Sequence, residues 1–94
     1  MRRNNERVRA MARKYVALIR KDPGTDYRVN VPDIPGCVAS GETEEKAKAN
    51  YQEIVVLHLE ALSEQGTVLS APRSRDDVLA AEEDEYLSDY IVEI

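Results

Sequence analysis

The sequence predicts an α+β fold in which one long helix lies on an antiparallel sheet. Three short apolar runs separated by turn residues, 15–19, 27–31 and 37–40, are typical of a strand meander. A longer run, 43–65, has apolar residues at helical spacing, and a last alternating run, 90–94, is typical of a returning strand. The predicted order is β-β-β-α-(short α)-β, which is a two-layer sandwich.

The first two strands are predicted to form a hairpin. Residues 15–19 are apolar at every position, as in a strand that is covered on both faces. Residues 27–31 alternate between apolar and polar positions, as in a half-buried strand. Pro23 and Gly24 lie between the two runs and favour a turn, because proline sets one φ angle and glycine accepts a positive one.

The long helix is predicted to begin after an N-cap at Thr43 and to end near Gln65, with Gly66 as the residue after its end. Its apolar positions cover more of its surface than one sheet can bury, and a four-stranded sheet leaves two open edges. We therefore expect a cover from the C-terminal segment or from a second subunit, and at least a homodimer. The residues predicted to share one helix face are Ala47, Tyr51, Ile54, Val55, His58, Ala61 and Leu62.

The C-terminal third is predicted to contain a short helix and the last strand. Ser74 is a good N-cap, and Asp77 three residues later completes a capping-box-like pair. In the last strand, Tyr90, Val92 and Ile94 share one face.

Charge divides the chain into a basic arm and an acidic body. The net charge is −5, but residues 1–21 carry eight basic side chains and one acidic one, whereas the rest carry 17 acidic and five basic. We expect the body, 14–94, to repel nucleic acid and to attract a basic protein. The arm, 1–13, is either a solvated tail or a weak, non-specific contact to phosphates. Its candidate contact residues are Arg2, Arg3, Arg7, Arg9 and Arg13.

Residue usage argues against several functional classes. The single cysteine, Cys37, cannot form an internal disulfide, which favours a cytoplasmic protein over a disulfide-stapled secreted one. No apolar run is long enough to span a membrane. His58 and Cys37 are interpreted as packed residues, and no zinc spacing or glycine-rich phosphate loop occurs. The sequence predicts no catalytic residue, no metal and no cofactor.

The segment 31–37 is unusual because it contains two prolines and a glycine in seven residues. One interpretation is a turn that ends one strand and begins the next. The other is a preorganised contact loop, because rigidity lowers the entropy cost of binding. In the second interpretation Ile34, which lies between the prolines, projects from the loop.

The same segment resembles the HicB-like antitoxin family, and the similarity extends over about Tyr15–Ile94. The resemblance implies a partial ribonuclease-H-like β-β-β-α-β fold, homo-oligomers and neutralisation of HicA, a small basic ribonuclease. It also commonly implies operator binding through a C-terminal DNA-binding domain. The chain stops where the last strand ends, so we expect no such domain in it, either because the protein lacks the domain or because the sequence is part of a longer protein. We expect no sequence-specific operator binding by this chain alone. The runs that carry the resemblance are Val31-Pro32-Asp33-Ile34-Pro35-Gly36-Cys37 and Ser40-Gly41-Glu42-Thr43.

The predicted function is therefore a non-enzymatic antitoxin that occludes a small basic ribonuclease toxin. An orphan oligomeric binding module without a toxin partner is the alternative, and a residual metal-dependent nuclease is a third. The toxin-binding candidates are Asp33, Ile34, Pro35, Gly36 and Glu42.

Overall fold

A computed structural model describes residues 13–67 and 69–94. The predicted fold class and order of elements are confirmed, with four strands, one long helix and one short one. The bounds are β1 Lys14–Lys21, β2 Tyr27–Asn30, β3 Val38–Gly41, α1 Glu44–Glu64, α2 Arg75–Ala81 and β4 Ser88–Glu93.

The four strands form one antiparallel sheet in the order β3-β2-β1-β4. The first three strands are the predicted meander. The last strand returns beside β1, where Tyr15 lies opposite Val92 and Ala17 lies opposite Tyr90. The two edges of the sheet are consequently β3 and β4.

The main core lies between α1 and one face of the sheet. Strand β1 contributes every second residue to it, and β2, β3 and β4 contribute Val29, Ala39 and Val92. Helix α1 contributes Ala47, Tyr51 and Val55, all fully buried. The buried members from β1 and from the turn between β2 and β3 are Tyr15, Ala17, Ile19, Val31, Ile34 and Cys37.

The opposite face of β1 is covered by the short helix α2. Val16 and Leu18 point to this face and pack with Val78, forming a second buried cluster. This arrangement explains why residues 15–19 of β1 are apolar at every position, and it adds a partial third layer to the predicted sandwich. Ser74 caps α2 as predicted, since its Oγ accepts a hydrogen bond from the Asp77 N–H at 3.1 Å.

Helix α1 begins and ends as predicted, but its apolar face is narrower. Thr43 Oγ1 accepts a hydrogen bond from the Lys46 N–H at 3.1 Å, and Gly66 follows the helix with φ +78°. The prediction that Ile54 and Ala61 face the sheet is wrong: Ile54 is 41% exposed, and Ala61 is also exposed. The sheet contacts only the middle of the helix face that the sequence predicts to be apolar, so residues at the two sides of that face lie in solvent.

Gly41 is the last residue of β3, where the sheet passes closest to α1. A Cβ on Gly41 would lie 2.5 Å from the backbone nitrogen of Ala47, which is closer than side-chain carbons approach backbone atoms. The absence of a side chain therefore sets the distance between β3 and the start of α1. No helix in the described part of the chain has the length and apolar character to cross a membrane.

Candidate functional site

The turn between β2 and β3 holds the predicted contact loop, and its central residue points inward. Ile34 is 1% exposed and belongs to the main core. Its N–H donates to the Val31 carbonyl at 2.9 Å, which closes the turn. The prediction that Ile34 projects from the loop is therefore wrong, because burial of its sec-butyl side chain in the core is favourable by about 2 kcal/mol.

Asp33 ties this turn to the segment that precedes α2. One carboxylate oxygen accepts from the Arg73 backbone N–H at 2.8 Å, and the other accepts from Arg73 Nε at 2.7 Å. The Asp33 side chain is only 9% exposed. Its carboxylate thus has an internal partner and positions the loop, whereas the sequence analysis placed it in a binding surface.

The other three predicted contact residues are exposed but do not lie together. Pro35 and Gly36 are exposed in the turn before β3, and Gly36 has φ +86°. Glu42 follows the other end of β3, where it pairs with Lys46 at 3.7 Å. Five residues, 37–41, lie between Gly36 and Glu42, and in an extended strand they separate these positions by roughly 20 Å. The exposed members of the predicted toxin-binding set therefore lie at two separate places on the surface, at the two ends of β3.

Three weakly acidic side chains, Cys37, Tyr51 of α1 and the partly buried Tyr90, pack between α1 and the sheet, and none has the properties of a nucleophile. Burial raises the pKa of the Cys37 thiol and of the neighbouring Tyr51 hydroxyl, and it raises the pKa of Tyr90 to about 12. All three groups are neutral at pH 7. A reactive cysteine needs the opposite shift, towards the thiolate, so Cys37 is a packed residue as predicted.

His58 also lies in packing rather than in a catalytic arrangement. It is half-buried, and its ring lies beneath Gly36, where a Cβ would be 3.6 Å from Cε1. Within residues 13–67 and 69–94 its Nε2 has no hydrogen-bond partner, whereas a general base needs a partner that holds it towards a substrate. The same part of the chain contains no group of three or more His, Cys, Asp or Glu side chains that could hold a metal ion.

An acidic surface is formed by β4 and the loop 82–87 that precedes it, here called the acidic edge. Residues 82–94 contain six acidic side chains and no lysine or arginine. Glu82 pairs with Arg20 at 2.8 Å, and Asp89 pairs with Arg75 at 2.7 Å. These two ion pairs hold the loop and β4 against β1 and α2. The remaining acids, Glu83, Asp84, Glu85 and Glu93, are exposed.

Exposed apolar side chains are present on both sides of the molecule. On the acidic edge, Leu87 is 57% exposed and Ile91 is 50% exposed. On the other side, Ile54 and Leu57 lie on the flank of α1 next to β3. Exposed apolar side chains next to charged ones are typical of protein interfaces, where the apolar centre supplies affinity and the charges supply orientation.

Arg13 is the described residue of the predicted arm, and the body holds it in place. It exchanges two backbone hydrogen bonds with Ile94, at 2.7 and 2.8 Å, so the β1–β4 ladder already includes it. Its guanidinium donates to the Leu69 carbonyl at 3.2 Å and lines an apolar cavity of about 290 Å³. Arg2, Arg3, Arg7 and Arg9 lie outside the described residues, and their predicted contact to nucleic acid stays a prediction.

A family comparison matches nearly the whole described body. The family described as "HicB_like antitoxin of bacterial toxin-antitoxin system" matches residues 15–94. This span contains the turn 31–37, both helices and all but the first residue of the sheet.

Solved structures with similar folds include antitoxins. The N-terminal domain of the Burkholderia pseudomallei antitoxin HicB is 32% identical, with a TM-score of 0.68, over 86% of this chain and 96% of that one. The longer structure of that antitoxin is 34% identical, with a TM-score of 0.64, and 61% of it is covered. A HicA3 and HicB3 toxin–antitoxin complex contains a chain that is 29% identical, with a TM-score of 0.61, over 72% of this chain and 79% of that one.

Two protein sequences are also similar. A UPF0150 protein of Thermoplasma acidophilum is 41% identical over 49 residues, which are 52% of this chain and 71% of that protein. An uncharacterised 14.9 kDa protein from the rep–hol intergenic region of Haemophilus phage HP1 is 35% identical over 68 residues, 72% of this chain. This chain spans about half of the phage protein, 49%.

Proposed function

The chain belongs to the HicB-like antitoxin family, and from this premise we propose that it binds and neutralises a small basic ribonuclease of the HicA kind. The observation that carries the proposal is the family match over 15–94, together with the similar fold in a toxin–antitoxin complex. Neutralisation proceeds by occlusion: the antitoxin covers the surface with which the toxin binds RNA. No chemistry by this chain is required.

The acidic edge is the surface that suits such a partner. A ribonuclease binds RNA through lysine and arginine side chains that contact phosphates. The exposed carboxylates of Glu83, Asp84 and Glu85 present the same sign of charge as a phosphate backbone. They therefore attract the toxin and compete with RNA for the same cations.

Charge alone gives fast but short-lived encounters, so an apolar contact must supply the residence time. Leu87 and Ile91 lie on the same edge and are at least half exposed. In this proposal they form the centre of the interface, and the carboxylates form its rim.

Two further surfaces complete the proposal. Pro35, Gly36 and Glu42, the exposed members of the sequence-predicted site, are secondary toxin contacts at either end of β3. The exposed flank of α1, Ile54 and Leu57, is the surface for the homo-oligomer. Neither of these surfaces carries the concentration of charge that the acidic edge has.

The direct test is co-expression with a small basic ribonuclease of the HicA kind. We expect the chain to restore growth to cells that express that protein, to co-purify with it, and to block its cleavage of RNA. If the purified chain neither binds nor inhibits it at low salt, the antitoxin function fails. The orphan module then becomes the better account.

A matched pair of charge reversals tests the role of the acidic edge. Glu83→Lys, Asp84→Lys and Glu85→Lys together change the net charge from −5 to +1. Glu53→Lys, Glu60→Lys and Glu64→Lys, on the solvent side of α1, make the same change elsewhere. We expect the first triple variant to slow association by about tenfold more than the second, with little effect on dissociation. Equal effects would show that only net charge matters.

A further inference from the structure

The hydrogen-bond pattern of β4 shows which of its backbone groups are free. Arg13 and Ile94 exchange both of their backbone hydrogen bonds, at 2.7 and 2.8 Å. In an antiparallel pair such residues alternate with residues whose N–H and C=O point away from the partner strand. Ile94, Val92 and Tyr90 therefore face β1. The N–H and C=O groups of Ile91 and Glu93 point to the open side.

The outward backbone groups on this open side have few hydrogen-bond partners in the described part of the chain. Gln52 of α1 donates to the Glu93 carbonyl at 3.5 Å, which is a long hydrogen bond. Within the described part of the chain nothing bonds to the outward groups of Ile91. The other edge strand, β3, has four residues, and Asn50 of α1 donates to its Ser40 carbonyl at 2.8 Å. Strand β4 is thus the longer and more open template for an added strand.

An apolar side chain flanks the open edge on each face of the sheet. Ile91, 50% exposed, lies on the face that α2 covers. On the other face, Lys48 lies over the Tyr90 ring, and Gln52, one helical turn later, reaches Glu93. One further turn places Val56, which is 46% exposed, on the same side of α1. Successive side chains of an added strand would point to opposite faces of the sheet. Those on one face would therefore contact Ile91, and those on the other face would contact Val56.

Charge decides which occupant fits. A second copy could add its own β4 antiparallel to this one, related by a two-fold axis at Ile91. In that pairing Ile91 would lie opposite Ile91 of the second copy, and Asp89 would lie opposite Glu93. Two copies would also bring the same excess of exposed carboxylates to one edge, and like charges that lie opposite each other are destabilising in a sheet. A strand that carries lysine or arginine would instead meet these exposed carboxylates, which are Glu83, Asp84, Glu85 and Glu93. The other two acids, Glu82 and Asp89, are already paired with Arg20 and Arg75.

We infer that the open side of β4 takes up an extended, lysine- or arginine-bearing segment of the toxin as a fifth strand of the sheet. This inference rests on the proposed function, and it adds how the partner is held. Backbone hydrogen bonds to Ile91 and Glu93 give the affinity, and contacts to Ile91 and Val56 select the side chains of the added strand.

Amide hydrogen exchange in the complex tests this directly. Calorimetry first establishes that the small basic ribonuclease used in the co-expression test binds. NMR then compares exchange in the free and bound antitoxin. We expect the Ile91 and Glu93 amides to exchange at least about tenfold more slowly in the complex, since each gains a hydrogen bond. The Tyr90 and Val92 amides, already bonded to β1, are protected in both states.

The two possible failures are distinguishable. If the toxin binds and the Ile91 and Glu93 amides exchange as in the free protein, strand addition is overturned and the antitoxin function stands. If no binding is measured, the proposed function itself fails, and strand addition fails with it.

A proline variant with a matched control gives a second readout. Ile91→Pro removes the outward N–H without removing a β1–β4 hydrogen bond, as proline in edge strands requires. Ile91→Ala removes the same side chain but keeps the N–H. We expect Ile91→Pro to bind about tenfold more weakly than Ile91→Ala, and equal affinities would overturn the inference. If Ile91→Pro does not fold, amide exchange in the wild-type complex decides the question.

Discussion

The two edge strands of the sheet differ in length, in charge and in what holds them. Strand β3 has four residues, is uncharged, and is fixed by close packing at Gly41 and by Asn50. Strand β4 has six residues, is acidic, and is fixed by ion pairs that include Arg75–Asp89. An open edge is a hazard for aggregation, and short length protects β3 whereas charge protects β4.

The difference also assigns roles to the two sides. Exposed carboxylates repel a second acidic chain and attract a basic one, so the charge of the β4 side suits a basic partner better than a second copy of this chain. The β3 side, next to the exposed flank of α1, has no charged strand residue that would favour one sign of charge in a partner. One side of the same sheet therefore suits a basic toxin, and the other suits an uncharged surface.

The largest expected effect compares one isoleucine from each side. Ile34→Ala should lower the free energy of unfolding by about 3 kcal/mol, because it leaves a cavity in the core. Ile91→Ala should change it by less than about 0.5 kcal/mol, because the side chain is half exposed. Urea unfolding of the two variants checks this. Equal destabilisation would contradict the inward orientation of Ile34.

Gly41→Ala tests whether close packing fixes β3. A Cβ at this position would lie 2.5 Å from the Ala47 nitrogen, so we expect a loss of about 2 kcal/mol in the free energy of unfolding. Ser40→Ala, at the neighbouring exposed position, is the control and should have little effect. A Gly41→Ala variant as stable as wild type would show that α1 moves away from β3 at little cost.

Unfolding at high pH compares one buried, weakly acidic group from each side of the sheet, the Cys37 thiol and the Tyr90 hydroxyl. The folded pKa values of Cys37, which precedes β3, and of Tyr90 in β4 are both raised by burial, the latter to about 12. The unfolded chain releases these protons first, near the ordinary values of 9.0 and 10.0, so stability falls as pH rises past them. Cys37→Ala should weaken the fall that begins near pH 9. Tyr90→Phe should weaken the fall between about pH 10 and 12.

Guanidinium chloride unfolding between about pH 8 and 12 on each variant provides this measurement, because this range begins below the ordinary thiol value of 9.0 and reaches the raised Tyr90 value of about 12. If neither substitution changes how the free energy of unfolding decreases at high pH, these two groups are solvated in the folded state. The proposed burial would then be contradicted on both sides.

The smallest expected effect is the acid dependence of the Arg75–Asp89 pair on the β4 side. Hydrogen bonding to Arg75 holds the pKa of Asp89 below its ordinary value of 3.8. This stabilisation is present above that value and is lost as pH falls through it towards the lower folded pKa. Arg75→Ala should reduce the loss of stability on acidification. Arg75→Lys, which keeps the charge but not the two-point contact, should lie between, as measured by urea unfolding at pH 3 to 6 (a range around ordinary carboxyl values of about 4).

Much of the fold could be predicted because it depends on local patterns. The alternation in 27–31 and 90–94, the caps at Thr43 and Ser74, and Gly66 after α1 all agree with the structure. Each depends on residues close to one another in the chain, where spacing and backbone preference are sufficient.

The candidate site could be predicted less well because it depends on residues far apart in the chain. Asp33 and Ile34 have types and positions suited to a contact loop. Nothing in the local sequence indicates that Arg73, forty residues later, binds the carboxylate, or that the core takes in the isoleucine. The two edges were expected from the strand count. The side of β4 that is open follows only from its pairing with β1.

By itself the sequence determined the order of the elements, the family and the separation of charge, since these depend on composition, short-range spacing and a long motif. The tertiary structure decided which apolar residues are buried, which carboxylates have partners and which strand edge is left open. These properties are set by contacts between distant parts of the chain: a carboxylate is free or paired, and a backbone N–H is bonded or open, according to what the fold places beside it.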